Sequence, residues 1–263
     1  MGDLITMDDL TNEEILQVLD NARSLLPVAK GDVYLPLLQG KVLGNLFFEN
    51  STRTRMSFET AMKRLGGEVL NLSSIGSSVA KGETLYDTMQ MVNGYSDIAV
   101  IRHPNQGAAQ YSADAVEIPI LNGGDGAGNH PTQTMLDLFT IREAHGSLEG
   151  LNVMMVGDLR YGRTTHSLSH ALVRFGAKIT LVSPESLRMP DEIVSDLKNH
   201  GGEINETEEM SSSIDSADVI YMTRIQKERF PDEDEYIKVA GIYKLIEDDL
   251  SNAKAGMIVM HPL

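Results

Sequence analysis

The chain has 263 residues, of which 41% are hydrophobic, and its formal net charge at pH 7 is −16. That length exceeds what one compact core usually needs, so we expect two domains. The absence of cysteine excludes disulfide bonds, thiolate metal sites and a cysteine nucleophile. A surface this acidic repels nucleic acid and anionic membranes, so neither is expected as a partner.

No signal peptide or membrane span is expected either. Residues 1–5 carry no basic stretch that leads into an apolar run, and no apolar run approaches the roughly 18–20 residues of a membrane-spanning helix. We therefore expect a cytoplasmic protein. Because the acidic surface also repels small anions, any anion-binding site must be a local cluster of arginine, lysine and backbone N–H groups.

Apolar runs suited to buried strands alternate with helical patterns along the chain. In chain order, the strand candidates are Val42–Phe48, Glu68–Leu72, Ile98–Ile101, Ile118–Leu121, Val153–Val156, Ile179–Val182, Val219–Met222 and Met257–Met260. This alternation predicts an α/β fold of two domains, each a mostly parallel sheet flanked by helices. A linking helix over Thr132–Ala144 is expected to join them, and the expected domains are residues 1–131 and 132–263.

Open parallel sheets bind ligands at the carboxyl ends of their strands. The first strand candidate runs into Ser51, Thr52, Arg53 and Thr54, which open an amphipathic helix. Hydroxyl groups, a guanidinium fork and the N–H groups of a helix N-terminus together favour a phosphate ligand. The alternative is a capped helix with solvated arginines.

The next two candidates follow the third and fourth strands. Arg102 ends a buried strand, which fits either an anion site or an interdomain salt bridge. A glycine-rich loop, Gly123–Gly128, permits close approach to a ligand and leads to His130 and Gln133 at the start of the linking helix. His130 can hydrogen-bond a substrate carbonyl there, or simply cap the helix.

In the second half, residues 157–164 resemble the phosphate loop G-x-x-x-x-G-K-[ST], but Arg163 replaces the lysine. No separate strand ends in an aspartate for Mg²⁺, so Arg163 at a helix N-terminus suits a carboxylate better. Arg224 and Gln226 follow another strand, and their side chains can both hydrogen-bond to one carboxylate. The alternatives are a surface arginine in a glycine turn and a solvated basic turn.

Taken in order, these segments are similar to the aspartate/ornithine carbamoyltransferase family over essentially the whole chain. The matching segments are Phe48–Arg55, Arg102–Pro104, His130–Gln133, Gly162–Thr164, Thr223–Phe230 and His261–Leu263. The last two are typical of the aspartate branch. Two arginines also suit the carboxylates of aspartate, whereas the side-chain ammonium of ornithine needs an acidic pocket.

The resemblance implies transfer of a carbamoyl group from carbamoyl phosphate to the amine of L-aspartate, the committed step of de novo pyrimidine biosynthesis, with no cofactor or metal. The implied carbamoyl-phosphate ligands are Ser51, Thr52, Arg53, Thr54, Ser77, Lys81, Arg102, His130, Gln133, Pro262 and Leu263. The implied aspartate ligands are Lys81, Arg163, Arg224 and Gln226. Among these, the implied catalytic residues are Thr54, Lys81, Arg102 and His130.

The resemblance also implies partners. The family's catalytic unit is a homotrimer in which residues matching Ser77 and Lys81 come from the adjacent subunit, and in some organisms a zinc-binding regulatory chain joins the trimers. Phosphate and aspartate ligands fall in different halves, so domain closure on binding is expected. The family's chains continue beyond the triplet at His261–Leu263 into a helix that returns to the first domain, and the second domain is expected to lack that helix here.

Three other functions remain open on sequence alone. A carbamoyltransferase that uses a different amine acceptor would keep the fold and the predicted phosphate-binding helix end at Ser51–Thr54, which we call the phosphate cradle. A non-catalytic protein that senses an anion would need the cradle but not His130, Gln133 and Lys81. A nucleoside triphosphatase would require Mg²⁺-dependent nucleotide binding at residues 157–164.

Overall fold

The computed structural model describes residues 2–73, 78–126, 128–225 and 241–262. The chain separates into two compact units, Met1–Met135 and Leu136–Leu263. Each unit contains a parallel sheet flanked by helices, which confirms the predicted α/β class.

The sheet of the first unit has the strand order β2-β1-β3-β4, and its strands pair in parallel. These strands are β1 (Val42–Phe47), β2 (Glu68–Ser73), β3 (Ile98–His103) and β4 (Ile120–Asp125). The helices of this unit are α1 (Asn12–Ser24), α2 (Leu26–Lys30), α3 (Thr52–Arg64), α4 (Leu85–Tyr95) and α5 (Ala108–Ala115). A further helix, α6 (Pro131–His145), begins in this unit and continues into the second.

The sheet of the second unit has the order β7-β6-β5-β8-β9, again with parallel pairing. Its strands are β5 (Asn152–Val156), β6 (Lys178–Val182), β7 (Glu203–Thr207), β8 (Val219–Met222) and β9 (Ile258–Met260). Helices α7 (Arg163–Val173) and α8 (Asp191–Asn199) are the α-helices that lie wholly within the described residues of this unit. None of the helices in the described ranges is long and apolar enough to cross a membrane.

Alternating side chains on β1 explain why helices cover both faces of the first sheet. Leu43 and Phe47 pack in one buried cluster with Met62 of α3. Leu46 points to the other face and packs with Met89 of α4. Residues two apart on a strand lie on the same face, so a single apolar strand supplies two cores.

The structure differs from the sequence-based prediction at β3, β4 and β7. Strand β3 continues through Arg102 and His103, so Arg102 lies within the strand rather than after it. Strand β4 begins two residues later than predicted and includes the first part of the expected glycine-rich loop, Gly123–Asp125. Strand β7 was not predicted, because Glu203–Thr207 is a mostly polar edge strand without an apolar run.

Candidate active site

The segment after β1 forms an open helix end beside a cavity. Ser51 is the N-cap residue of α3, and its side chain makes no capping hydrogen bond. Ser51, Thr52 and Arg55 line a cavity of about 460 Å³. Thr52 and Arg53 are exposed and Thr54 is half-buried. A helix N-terminus not capped by its own side chain, flanked by hydroxyls and guanidinium groups, is suited to phosphate.

A hydrogen-bond network that sequence reasoning missed, centred on one buried amide, supports this helix end. Asn45 of β1 is fully buried, and its Nδ2 donates to Asn71 Oδ1 at 2.8 Å and to the Arg55 carbonyl at 3.3 Å. Asn71 in turn donates to Glu59 Oε2 at 3.1 Å. The network ties the start of α3 to β1 and β2, so the position of the cradle is set by the sheet.

Arg102 is held at the carboxyl end of β3 and is only 9% exposed. Its Nη1 donates to the Gly123 carbonyl at 3.2 Å, and its Nη2 forms an ion pair with Glu49 Oε1 at 3.1 Å. Its Nε is buried and has no hydrogen-bond partner among the residues described. Because Glu49 also lines the cavity beside Ser51, the guanidinium lies next to the phosphate cradle with donor capacity to spare.

The neighbouring His103 is half-buried at the end of the same strand. The N–H of Asn105 donates to His103 Nδ1 at 3.0 Å, and burial lowers the pKa of His103. Its ring meets Phe48 edge-on, with the ring centroids 5.4 Å apart. The Phe48 N–H donates to the Arg102 carbonyl at 2.8 Å, so the ends of β1 and β3 are fastened together.

His130 lies immediately before α6 and is 6% exposed. Its carbonyl accepts from the N–H groups of Gln133 at 3.0 Å and Thr134 at 3.2 Å. The helix-capping interpretation is therefore met by the backbone of His130, and its ring Nδ1 lies 3.4 Å from the Thr132 hydroxyl. Gln133 is half-buried in the first turn.

In the second unit, Arg163 is the first residue of α7 and is 9% exposed, which rules out the solvated-surface interpretation. A Cβ at the preceding Gly162 would lie 2.5 Å from the Asp158 carbonyl, so only glycine fits this turn. Thr223, beyond β8, accepts from the Asp158 N–H at 2.9 Å and donates to the Val156 carbonyl at 3.1 Å. These contacts bring the ends of β5 and β8 together.

Arg224 follows β8 and is exposed. Burial, and then the charge of Arg224, lower the pKa of His261, so the two side chains interact electrostatically. His261 and the half-buried Pro262 follow β9, which pairs with β8. The carboxyl ends of β5, β8 and β9 therefore present Arg163, Arg224 and Pro262 along one edge of the second sheet.

Three predicted ligands, Ser77, Gln226 and Leu263, lie outside the described residues. Lys81 is described, is exposed, and ends a short 3₁₀ turn over Ser78–Lys81. Within the described ranges, no group of three or more His, Asp and Glu side chains is arranged to hold a metal ion.

Sequence reasoning missed Glu49 and Asp125, which contact the predicted ligands or their segments. Glu49 adjoins the Ser-Thr-Arg-Thr segment, and an acidic residue there signals a partner for one of the cations. Asp125 falls within the predicted glycine-rich loop, Gly123–Gly128. Because three glycines surround it in the sequence, no local pattern indicated that its side chain accepts hydrogen bonds from Gly107 and Asn129.

Comparison with known protein families gives two matches that together cover nearly the whole chain. Residues 2–143 match the aspartate/ornithine carbamoyltransferase, carbamoyl-P binding domain. Residues 149–263 match the aspartate/ornithine carbamoyltransferase, Asp/Orn binding domain.

Individual relatives are named aspartate carbamoyltransferase catalytic subunits. The chain is 53% identical over 264 residues to an aspartate carbamoyltransferase catalytic subunit of Archaeoglobus fulgidus, covering 100% of this chain and 87% of the relative. It is 54% identical over 262 residues to the catalytic subunit of Methanococcoides burtonii, covering 99% and 84%.

Solved structures agree with these sequence matches. The catalytic subunit of M. jannaschii aspartate transcarbamoylase superposes with a TM-score of 0.91 at 49% identity, covering 100% of this chain and 86% of that one. Aspartate transcarbamoylase from Trypanosoma cruzi, in complex with carbamoyl phosphate and aspartate, gives a TM-score of 0.93 at 39% identity, covering 100% and 85%.

Proposed function

The chain belongs to the aspartate/ornithine carbamoyltransferase family, and we propose that it transfers the carbamoyl group of carbamoyl phosphate to the amine of L-aspartate. The products are N-carbamoyl-L-aspartate and phosphate. The observation that carries the proposal is Arg102, a buried guanidinium beside the α3 helix end, in a chain whose two halves match the two substrate-binding domains of the family. Solved relatives bind both substrates.

The chemistry needs positioning and charge stabilisation rather than a cofactor. The neutral amine of aspartate attacks the carbamoyl carbon, a C–N bond forms, and the tetrahedral intermediate expels phosphate as the C–O bond breaks. Phosphate takes up the amine proton. Developing negative charge on the carbonyl oxygen is the feature that fixed donors stabilise most.

In our proposal, the helix end and its side chains hold the phosphate of carbamoyl phosphate. Arg102 bridges phosphate and carbonyl oxygen, and His130 with Thr54 polarises that carbonyl. Gln133 and the backbone carbonyls of Pro262 and Leu263 orient the carbamoyl NH₂ group. The phosphate ligands are Ser51, Thr52, Arg53 and Thr54.

Aspartate is assigned to the arginines of the second unit. Arg163 takes the α-carboxylate, and Arg224 with Gln226 takes the β-carboxylate. Ornithine is disfavoured because this edge of the sheet presents cations, which repel an ammonium group. The location in the cytoplasm and the place of the reaction in pyrimidine biosynthesis belong to the same proposal.

The direct test is a colorimetric assay of carbamoylated product, with L-aspartate and L-ornithine compared in parallel. Product with aspartate alone supports the proposal. Product with ornithine alone would show that ornithine is the acceptor. No product with either amine would contradict the proposed transferase activity.

The acceptor assignment has its own test in Arg224→Ala. Loss of one charged hydrogen-bonding partner should raise KM for aspartate by roughly 10–100-fold while KM for carbamoyl phosphate stays constant. Arg188→Ala is the control, because Arg188 is a partly exposed arginine in the same unit, paired with Glu206 at 3.2 Å. Equal effects of both variants would contradict the role of Arg224.

We further propose a homotrimer in which Ser77 and Lys81 complete the site of the adjacent subunit; some relatives are named catalytic subunits, which is compatible with a regulatory partner chain. Light scattering should give three times the mass of the chain. Mixing inactive Lys81→Ala subunits with inactive Arg102→Ala subunits should restore activity, because hybrid trimers then contain intact sites. Failure to recover activity would place Lys81 in its own subunit's site.

A further inference from the structure

The carboxylate of Asp125 is buried at the end of β4, with only 3% of the residue exposed. Its Oδ1 accepts from the Asn129 N–H at 2.8 Å and from Asn122 Nδ2 at 3.1 Å. Its Oδ2 accepts from the Gly107 N–H at 2.8 Å. Three donors from three positions of the chain therefore converge on one side chain.

These donors belong to the segments that surround the carbamoyl-phosphate ligands. Gly107 is the N-cap residue of α5 and follows the end of β3, the strand that carries Arg102. Asn129 immediately precedes His130. A bond between each segment and the same carboxylate fixes the start of the His130 segment relative to the end of β3.

Backbone contacts close the same junction. Asp125 is paired with His103 across β3 and β4, at an irregularity in the strand register. The Gly126 N–H donates to the His103 carbonyl at 2.9 Å, and Arg102 Nη1 bonds to the Gly123 carbonyl. Added Cβ atoms at Gly126 and Gly128 would lie 2.7 Å and 2.9 Å from neighbouring atoms, so neither position has room for a side chain as the loop stands.

Burying the carboxylate of Asp125 costs free energy, so its burial needs compensating contacts. Within the described residues, none of the ion pairs includes Asp125, so backbone and amide N–H groups satisfy it instead. A buried carboxylate is tolerated when several N–H donors point at it. A neutral side chain suffices to close a turn, whereas an ionised carboxylate accepts from all three donors at once.

We propose that Asp125 is a positioning residue for the transfer reaction, which holds His130 in register with Arg102 so that both reach the carbamoyl group. This inference rests on the proposed function. Asp125 does not itself touch the substrate; it acts through the backbone that presents His130.

The test is Asp125→Asn, which keeps the shape but turns one oxygen acceptor into an NH₂ donor facing a backbone N–H. Hydrogen exchange at the amides of Gly107 and Asn129 should become faster. A misplacement of His130 should lower kcat by about 100-fold while KM for aspartate stays constant, because Arg163, Arg224 and Gln226, which are proposed to bind its two carboxylates, belong to the second unit.

A matched control is Asp97→Asn at the opposite, amino-terminal end of the same sheet. Asp97 also accepts from a backbone N–H, that of Val42 at 2.8 Å, and from Lys41 Nζ at 2.8 Å. This variant should lower the melting temperature but leave kcat unchanged. Equal falls of kcat in both variants, or wild-type kcat in Asp125→Asn, overturn the proposal.

A second variant covers the case in which Asp125→Asn does not fold. Asn122→Ala removes one of the three donors and keeps the carboxylate, so the same pattern is expected with a smaller fall in kcat. If the wild-type protein forms no product with either amine, the proposed function fails. The exchange rates at Gly107 and Asn129 then still decide whether Asp125 fixes this loop.

Discussion

The hydroxyl of Tyr221 donates a hydrogen bond of 2.8 Å to Asp137 Oδ2, and both side chains are buried. Tyr221 lies on β8, three residues before Arg224, and Asp137 lies on α6. The bond therefore fixes the strand that precedes Arg224, a proposed aspartate ligand, to a helix that starts next to His130. Such a pair combines structural stability with placement of a binding residue.

We predict that Tyr221→Phe lowers the free energy of unfolding by about 1–3 kcal/mol, because it removes a donor from a buried carboxylate. Urea denaturation followed by circular dichroism measures this change. Tyr243→Phe is the control, since its hydroxyl donates to the Glu208 carbonyl at 3.0 Å in a more exposed place. An equal loss of unfolding free energy in Tyr243→Phe would show that the bond to Asp137 stabilises the fold no more than an exposed tyrosine hydrogen bond.

Stability should also fall at alkaline pH. Burial, and then the charge of Asp137, raise the pKa of Tyr221 above its ordinary value of 10.0. A group whose pKa is raised in the folded state stabilises the fold fully below its unfolded pKa and loses that contribution as pH rises. The free energy of unfolding should therefore decline above about pH 10. Tyr221→Phe should flatten this decline; an unchanged slope would contradict the assignment.

At acidic pH the informative pair is Asp218 and Lys254. Burial raises the pKa of Asp218, but the hydrogen bond from Lys254 at 2.8 Å and that from the Asn152 N–H outweigh it, so the pKa is lowered overall. A lowered pKa stabilises the fold above the unfolded pKa, and the contribution is lost as pH falls through the folded pKa.

Lys254→Met should consequently move the acid-unfolding midpoint to higher pH. The measurement is a pH titration of tyrosine fluorescence or circular dichroism. Lys178→Met is the control, because Lys178 and Glu203 form an exposed pair at 2.9 Å that contributes little in water. If both variants unfold at the same pH, the hydrogen bond to Asp218 is not what stabilises the fold in acid.

Arg102→Lys should keep the charge and still lose the activity. The three N–H donors of lysine lie on one nitrogen, so they cannot reach Glu49, the Gly123 carbonyl and a substrate oxygen with the spacing of the guanidinium fork. We expect kcat/KM for carbamoyl phosphate to fall by roughly 10²–10³-fold, the loss typical of an oxyanion donor. Arg188→Lys should retain full activity, and comparable activity of both variants would exclude a catalytic role for Arg102.

Elements with strong local signals were predicted well from the sequence. Strand β1 was predicted over Val42–Phe48 and ends one residue earlier; its signal was strong because five of its six residues are buried. Gly66-Gly67 predicted the end of α3, and Gly66 has a φ of 83°. The predicted linking helix differs from α6 by one residue at each end.

What the sequence could not predict depends on long-range contacts. The Asp137–Tyr221 bond joins residues 84 positions apart, and neither residue lies in a recognisable motif. Gly123–Asp125 looked like a loop because glycine and aspartate are poor strand formers; pairing with β3 overrides that local preference. The roles assigned to the predicted ligands remain predictions until the variants above are measured.

The open end of α3 has a practical consequence for every stability measurement on this protein. Because Ser51 makes no capping hydrogen bond with its side chain, an anion that binds there supplies acceptors that the folded chain alone does not. A ligand at one hundred times its Kd adds about 2.7 kcal/mol to the apparent stability. Because we propose that this helix end binds phosphate, we expect melting curves recorded in phosphate buffer to include the contribution of the bound anion, and the intrinsic stability of the chain has to be measured in a buffer without oxyanions.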